Sequence, residues 1–312
     1  MVTTYYTLNQ VLWQPWMPQG SHFGISQQLQ IERNVCMKRV VTIQDISCLG
    51  RCSITIALPV LSAMGIETAI LPTALLSTHS LFPDFTFCDL SGQMQLIADH
   101  WKKEGVHFDG IYTGYLGSRH EIETVFRLIR DFRTPDTLVF VDPVMGDNGK
   151  LYSGFDKDYV VQNKVLCAEA DVIVPNITEA CFLTGNEYRS DQDEAYIRRL
   201  LMDLSDLGAH LCVITGVSLS EGKTGFMGYD PQEKTFFSYQ NEKVPGSFHG
   251  TGDLFSSVSV GALMRGMSWQ KAFALAADYT AQTIAETIRD AGGEDRRFGV
   301  HFETTLPSLL KV

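Results

Sequence analysis

The stretch His249-Gly250-Thr251-Gly252-Asp253-Leu254-Phe255 combines residue types that could handle a phosphoryl group, and it opens a run of small and apolar residues with helical spacing. Two glycines around a threonine let the backbone turn tightly and present successive N–H groups at a helix N-terminus, where the macrodipole adds roughly half a positive charge. That combination makes a hole for an anion. The dipole should also hold an aspartate in the first turn ionised, so Asp253 is placed to accept a proton from an alcohol attacking a phosphoryl group bound in the hole. The same residues admit a plainer part, in which Thr251 or Asp253 only caps the helix.

Two other phosphate motifs fail. Between Gly216 and Gly222-Lys223-Thr224 stand five residues where a Walker A loop has four, and strand-like sequence follows where the helix should begin. Residues 44–55 contain a single glycine, so the first strand candidate is not followed by a dinucleotide fingerprint. The seven cysteines are dispersed; Cys48 and Cys52 are near each other but have no second Cys or His pair at zinc spacing. This usage fits a reducing, cytoplasmic setting.

Those residues need a scaffold, and the 312-residue chain, 45% hydrophobic and 20% charged, has ordinary globular composition. With 25 Lys+Arg against 36 Asp+Glu, the net charge of −11 argues against a surface that tracks nucleic acid or an anionic membrane. A polyanionic small ligand must then be held by local devices. The longest mostly apolar stretch, residues 54–66, is too short to cross a bilayer.

From Lys38 onward, short β-branched runs alternate with longer amphipathic stretches, the pattern of βαβ units feeding a mostly parallel sheet. Strands are predicted at 39–44, 68–71, 110–113, 138–141, 172–174 and 211–215. Helices are predicted at 53–64, 90–103, 121–132, 157–168, 194–207, 253–265 and 269–288. Runs at 224–229 and 234–239 flank Asp230-Pro231-Gln232-Glu233 and predict a hairpin late in the chain. The expectation is one doubly wound α/β domain over 37–312, helices on both faces, with ligands beyond the carboxyl ends of its strands. Residues 1–31 carry no Asp, Glu, Lys or Arg and no periodicity, so residues 1–36 are expected to be a disordered extension.

Residues 250–255 also resemble the Gly-Thr-Gly-Asp signature of the ribokinase-like superfamily, in particular its vitamin B6 kinase branch. Four further blocks follow the family's order: Ser77-Thr78-His79-Ser80, Thr113-Gly114-Tyr115-Leu116-Gly117-Ser118, the Asp-Pro-Val segment at 142–144, and the Asn-x-x-Glu segment at 176–179. Together they span the chain from about Met37 onward.

The resemblance implies a role for each matching residue. Asp253 would be the catalytic base, with the N–H groups of Gly250, Thr251 and Gly252 stabilising charge on the transferred group. Asn176 and Glu179 would organise Mg²⁺ through water, with Asp142 near the same ion and the nucleotide phosphates. A capping arrangement for Asn176 and Glu179 also suits their position after a strand. Thr215 and Gly216 match the position that meets the terminal phosphates of ATP. Lys223, on the loop beyond, either approaches a phosphate or is a solvated surface lysine. Tyr115 and Ser80 would surround the acceptor ring, with His79 supporting the loop. Where the family usually has Gln-Ser at the end of the first strand, this chain has Gln44-Asp45, and a carboxylate there could bond a ring nitrogen, an amine or a ring hydroxyl.

The resemblance therefore implies an ATP- and Mg²⁺-dependent kinase that phosphorylates the 5′-hydroxymethyl group of pyridoxal, pyridoxine or pyridoxamine, and it implies a homodimer. A monovalent cation is left open. The alternatives are a hydroxymethylpyrimidine kinase, a sugar kinase of the same superfamily, and a nucleotide-binding protein without turnover. The apolar Thr73-Ala74-Leu75-Leu76 segment favours a flat ring over a sugar.

Overall fold

β-Branched and aliphatic runs form strands here because alternate side chains can be buried on two faces at once. The structure, a computed structural model, describes residues 37–246, 248–290 and 296–312, so the expectation for residues 1–36 lies outside the described residues. In chain order the first half runs β1 (Arg39–Ser47), α1 (Ile54–Ala63), β2 (Glu67–Leu76), β3 (Phe87–Asp89), α2 (Ser91–Lys103), β4 (Gly110–Thr113), α3 (Arg119–Phe132), β5 (Leu138–Val141), β6 (Gly146–Asp147) and β7 (Lys150–Leu151). It continues with α4 (Lys157–Ala168), β8 (Val172–Ile173), α5 (Ile177–Thr184), α6 (Glu194–Ser205), β9 (Leu211–Val217), β10 (Lys223–Asp230), β11 (Thr235–Glu242), α7 (Thr251–Met264), α8 (Trp269–Asp290) and α9 (Phe302–Thr305).

Nine strands form one sheet in the order β11, β10, β9, β8, β5, β4, β1, β2, β3. The six from β9 through β2 are parallel, while the β10–β11 hairpin and the short β3 add antiparallel edges. Strand-by-strand alternation sorts the core into two layers. Val41, Ile43, Ile111, Val139 and Ile214 pack under α2 through α6. Val40, Tyr112, Phe140 and Val213 pack under α1, α7 and α8 on the other face. The doubly wound α/β architecture expected from the sequence is the one observed.

Two features of this sheet position the site. The strand order reverses between β1 and β4, which opens a crevice at their carboxyl ends. Gly114, just past β4, lies there so close to β1 that a Cβ would stand 2.7 Å from Gln44 Cδ. The β1–β2 register also slips, with Gln44 facing Pro72 and Ile46 facing Leu75, so Asp45 stands opposite two residues. Such a bulge re-aims the side chain beside it.

Candidate active site

Gly250 begins the anion hole. It is the N-cap of α7 at φ +83°, and a Cβ there would sit 2.3 Å from the Arg51 carbonyl oxygen and 2.7 Å from Ile56 Cδ1. No side chain caps α7, and the Thr251 hydroxyl instead donates to the Phe248 carbonyl at 3.3 Å. The first-turn N–H groups therefore have no side-chain oxygen bound to them, and the plain capping role that the sequence admitted is not adopted by Thr251 or Asp253. Gly252 faces open space.

Asp253 stands in the first turn, where burial raises its pKa above the ordinary aspartate value, opposed by the main-chain N–H of Ser53 facing the carboxylate. The result suits a proton acceptor better, because a more basic carboxylate accepts a proton more readily.

A second acid stands beside it. Asp45 is buried at the end of β1, where Ser53 Oγ donates to Oδ1 at 2.6 Å and Ser47 Oγ to Oδ2 at 3.3 Å. Burial raises its pKa, the two serines pull it back, and the charge of Asp253 pushes it up again. Tyr115 faces the same acid, and its phenol is pushed up to about 12 by burial, then by Asp45 and Glu121. Phe155 packs 5.6 Å from the Tyr115 ring and stacks in turn on Tyr159 at 3.8 Å, so aromatic rings back Tyr115. Glu121 accepts from the Gly117 N–H at 2.7 Å, and burial pushes its carboxyl up to about 7.

His79 is buried and supports its loop, as expected. Its Nε2 lies 2.6 Å from the Arg297 carbonyl oxygen, its ring stacks on His249 at 4.1 Å, and Gly50 leaves room for it. Ser80 next to it is exposed. The inward-packed member of this block is thus His79.

The remaining acids gather beyond β5 and β8. Asp142 is buried and accepts from Ser256 Oγ at 2.8 Å; burial and the Asp253 charge push its carboxyl up to about 7 despite that bond. Glu179 is also raised, by burial and then by the charge of Asp142. The capping arrangement does exist: Asn176 Oδ1 accepts from the Glu179 N–H at 3.0 Å, and Glu179 Oε2 accepts from the Asn176 N–H at 2.8 Å. Glu179 Oε1 accepts from the Met145 N–H at 3.0 Å. Two buried carboxylates, each with a raised proton affinity, are a donor set that a divalent cation would relieve. Among the described residues, no cluster of three or more His, Cys, Asp or Glu could enclose a metal. A magnesium ion held here would therefore take most of its ligands from phosphates and water.

Thr215 and Gly216 lie near the carboxyl end of β9; Thr215 bridges to Asn176 and Gly216 is exposed at φ +73°. Lys223 opens β10 instead of sitting on a loop, and its exposed ammonium stands 4.0 Å from Glu242 Oε1, which matches the surface-lysine alternative. The sequence reading missed Ser53, Glu121 and Ser256. For Ser256 a signal was present, since it stands one helical turn beyond Asp253.

A doubly wound sheet whose strand ends bring an aspartate-bearing helix N-terminus against buried acids defines a phosphotransferase of the ribokinase-like class. The family described as phosphomethylpyrimidine kinase matches residues 94–295. A pyridoxal kinase of Arabidopsis thaliana is 28% identical over 259 residues, covering 80% of each chain. The crystal structure of pyridoxal kinase from Lactobacillus plantarum is 35% identical with a TM-score of 0.81, covering 88% of this chain and 97% of that one. A Bacteroides thetaiotaomicron protein described as a phosphomethylpyrimidine kinase, in a crystal form with pyridoxal, is 38% identical with a TM-score of 0.83 and covers 88% and 96%. The chain belongs to the phosphomethylpyrimidine kinase family and, within it, to the pyridoxal, or vitamin B6, kinases.

Proposed function

We propose that this protein transfers the terminal phosphoryl group of ATP to the 5′-hydroxymethyl group of pyridoxal, pyridoxine or pyridoxamine. The observation that carries this reading is the placement of two carboxylates, Asp253 at the α7 anion hole and Asp45 at the strand-order reversal, on either side of Ser53. The acceptor ring lies in the crevice beside Tyr115, with Asp45 taking a proton or N–H from the ring or its substituents and Ser80 at the rim. Its hydroxymethyl group then faces Asp253, which takes the hydroxyl proton. The N–H groups of Gly250, Thr251 and Gly252 hold the charge that develops on the phosphoryl oxygens. Asp142, Asn176 and Glu179 would hold Mg²⁺ through water beside the nucleotide phosphates, Thr215 and Gly216 border those phosphates, and Lys223 stays at the outer edge. Magnesium, when bound, neutralises phosphate charge. Catalysis on this reading is positioning plus electrostatic stabilisation.

The same reading makes residues 37–312 the kinase domain, with a homodimer working in the cytoplasm. Deleting residues 1–36 and measuring turnover, and light scattering of the full chain, check these parts. Among the described residues, no helix is long and apolar enough to cross a membrane.

The deciding experiment gives the purified protein Mg²⁺ and ATP with pyridoxal, pyridoxine, pyridoxamine or hydroxymethylpyrimidine, and detects products by mass spectrometry. Phosphorylation of a B6 vitamer is expected. The family description favours hydroxymethylpyrimidine kinase as the second reading, and preference for that acceptor would establish it instead. Silence with all four would leave a nucleotide binder or a sugar kinase.

A further inference from the structure

Ser53 adopts φ 49° and ψ −129°, the dihedrals of the first central position of a II′ turn, and the Thr55 N–H closes that turn on the Cys52 carbonyl at 3.1 Å. Glycine takes this conformation freely, whereas a residue with a Cβ is strained in it. The serine side chain does not offset that strain by capping the helix it precedes, since α1 has no side-chain cap bond. Its hydroxyl is turned away, buried, and spent on Asp45 at 2.6 Å. Meanwhile its main-chain N–H faces Asp253. A strained residue that persists where glycine would fit points to a use for its side chain.

We propose that Ser53 is a positioning residue that fixes where the acceptor sits relative to the proton acceptor: its hydroxyl aims the Asp45 carboxylate into the crevice, while its main chain borders Asp253. This rests on the function proposed above. Asp45 has two serine partners, but the Ser47 bond is long at 3.3 Å, so Ser53 sets the orientation of the carboxylate. The hydroxyl acts on acceptor binding, and the main-chain N–H stays on the Asp253 side. One residue thereby serves two carboxylates through two separable groups.

Ser53→Gly separates them, because it deletes the hydroxyl, keeps the N–H and releases the backbone strain. The expected result is an unchanged or higher Tm together with a KM for the B6 vitamer raised about tenfold, the scale of one hydrogen bond to a charged group. The kcat and the KM for ATP should stay within about threefold of wild type, since the N–H remains. Ser53→Ala should show the same rise in KM with a lower Tm. In an Asp45→Asn background, Ser53→Gly should add little further, because the hydroxyl acts through the carboxylate.

A wild-type KM in Ser53→Gly overturns the proposal, as does an effect that persists undiminished beside Asp45→Asn. The function reading is judged separately, by wild-type turnover in the same assay. Should the wild type bind pyridoxal without phosphorylating it, the function reading falls, and the same pattern in the Kd, measured through pyridoxal absorbance, still decides the role of Ser53. Neither turnover nor binding in the wild type overturns both.

Discussion

Ser256, one turn beyond Asp253 on α7, donates its hydroxyl to Asp142 Oδ2 across 2.8 Å and so ties that helix to the end of β5. The acid it reaches is buried and pushed up to about 7 from an ordinary 3.8, by burial first and then by the charge of Asp253. A carboxyl whose folded pKa exceeds its unfolded one favours folding while protonated, and that contribution is lost as pH rises from about 4 through about 7. Asp142→Asn keeps an acceptor for Ser256 and removes the charge. It should raise the Tm of the ligand-free protein by several degrees more at pH 8 than at pH 5, while turnover falls. Equal gains at the two pH values would mean that Asp142 does not titrate in this window.

Asp253→Asn preserves shape and removes the proton acceptor. On the proposed mechanism kcat should fall by at least about a hundredfold, with the Kd for ATP nearly unchanged because the N–H groups of the anion hole remain. Turnover and nucleotide titration on the same preparation check it. Near-normal turnover in a folded Asp253→Asn protein would remove Asp253 from the chemistry.

These two acids show how far the sequence could be read. Gly250 to Asp253 are legible because their chemistry is local, and β4, β5 and α4 begin and end where expected because β-branched runs and the Asp156 cap mark them. Helix α5 was not among the predicted helices, since its eight residues are buried nearly all round and show no apolar stripe. Strands β3, β6 and β7, two or three residues long, have no room for a pattern. β1 runs on to Ser47, past the predicted end at Gln44, through a register slip that no local spacing announces. The link from Asp45 to Ser53 depends on that slip and on a positive φ, both set by tertiary packing. The shift of Asp253 likewise follows from neighbours distant in sequence.

His79 gives a pH dependence of the opposite sign. Burial, and then His249, push its imidazole down to about 4 from an ordinary 6.5, so the folded protein keeps it neutral, with Nε2 2.6 Å from the Arg297 carbonyl oxygen. Stability is then full above about 6.5 and is lost as pH falls toward about 4, because the unfolded chain binds the proton first. His79→Gln can still donate to that carbonyl. Melting curves at pH 7 and pH 5 should show a smaller acid-induced drop in Tm for the variant than for the wild type, and equal drops would mean that the acid lability lies elsewhere.

The two glycines of the anion hole should fail in different ways. Gly250→Ala forces a Cβ to within 2.3 Å of the Arg51 carbonyl oxygen at φ +83°, where neither main-chain segment can yield cheaply. It should destabilise the protein by about 2 kcal/mol or more and disrupt the turn that aims the N–H groups. Gly252→Ala meets nothing within 4 Å and has no positive φ to strain, so the fold should tolerate it and the first turn of α7 should gain slightly in helix propensity. Yet that open space is where the transferred phosphoryl group passes on the proposed mechanism. Gly252→Ala should therefore keep the wild-type Tm while losing at least about tenfold in kcat/KM for ATP, with melts and steady-state kinetics run side by side. Wild-type kinetics in Gly252→Ala would place the phosphoryl group elsewhere, whatever Gly250→Ala does to stability.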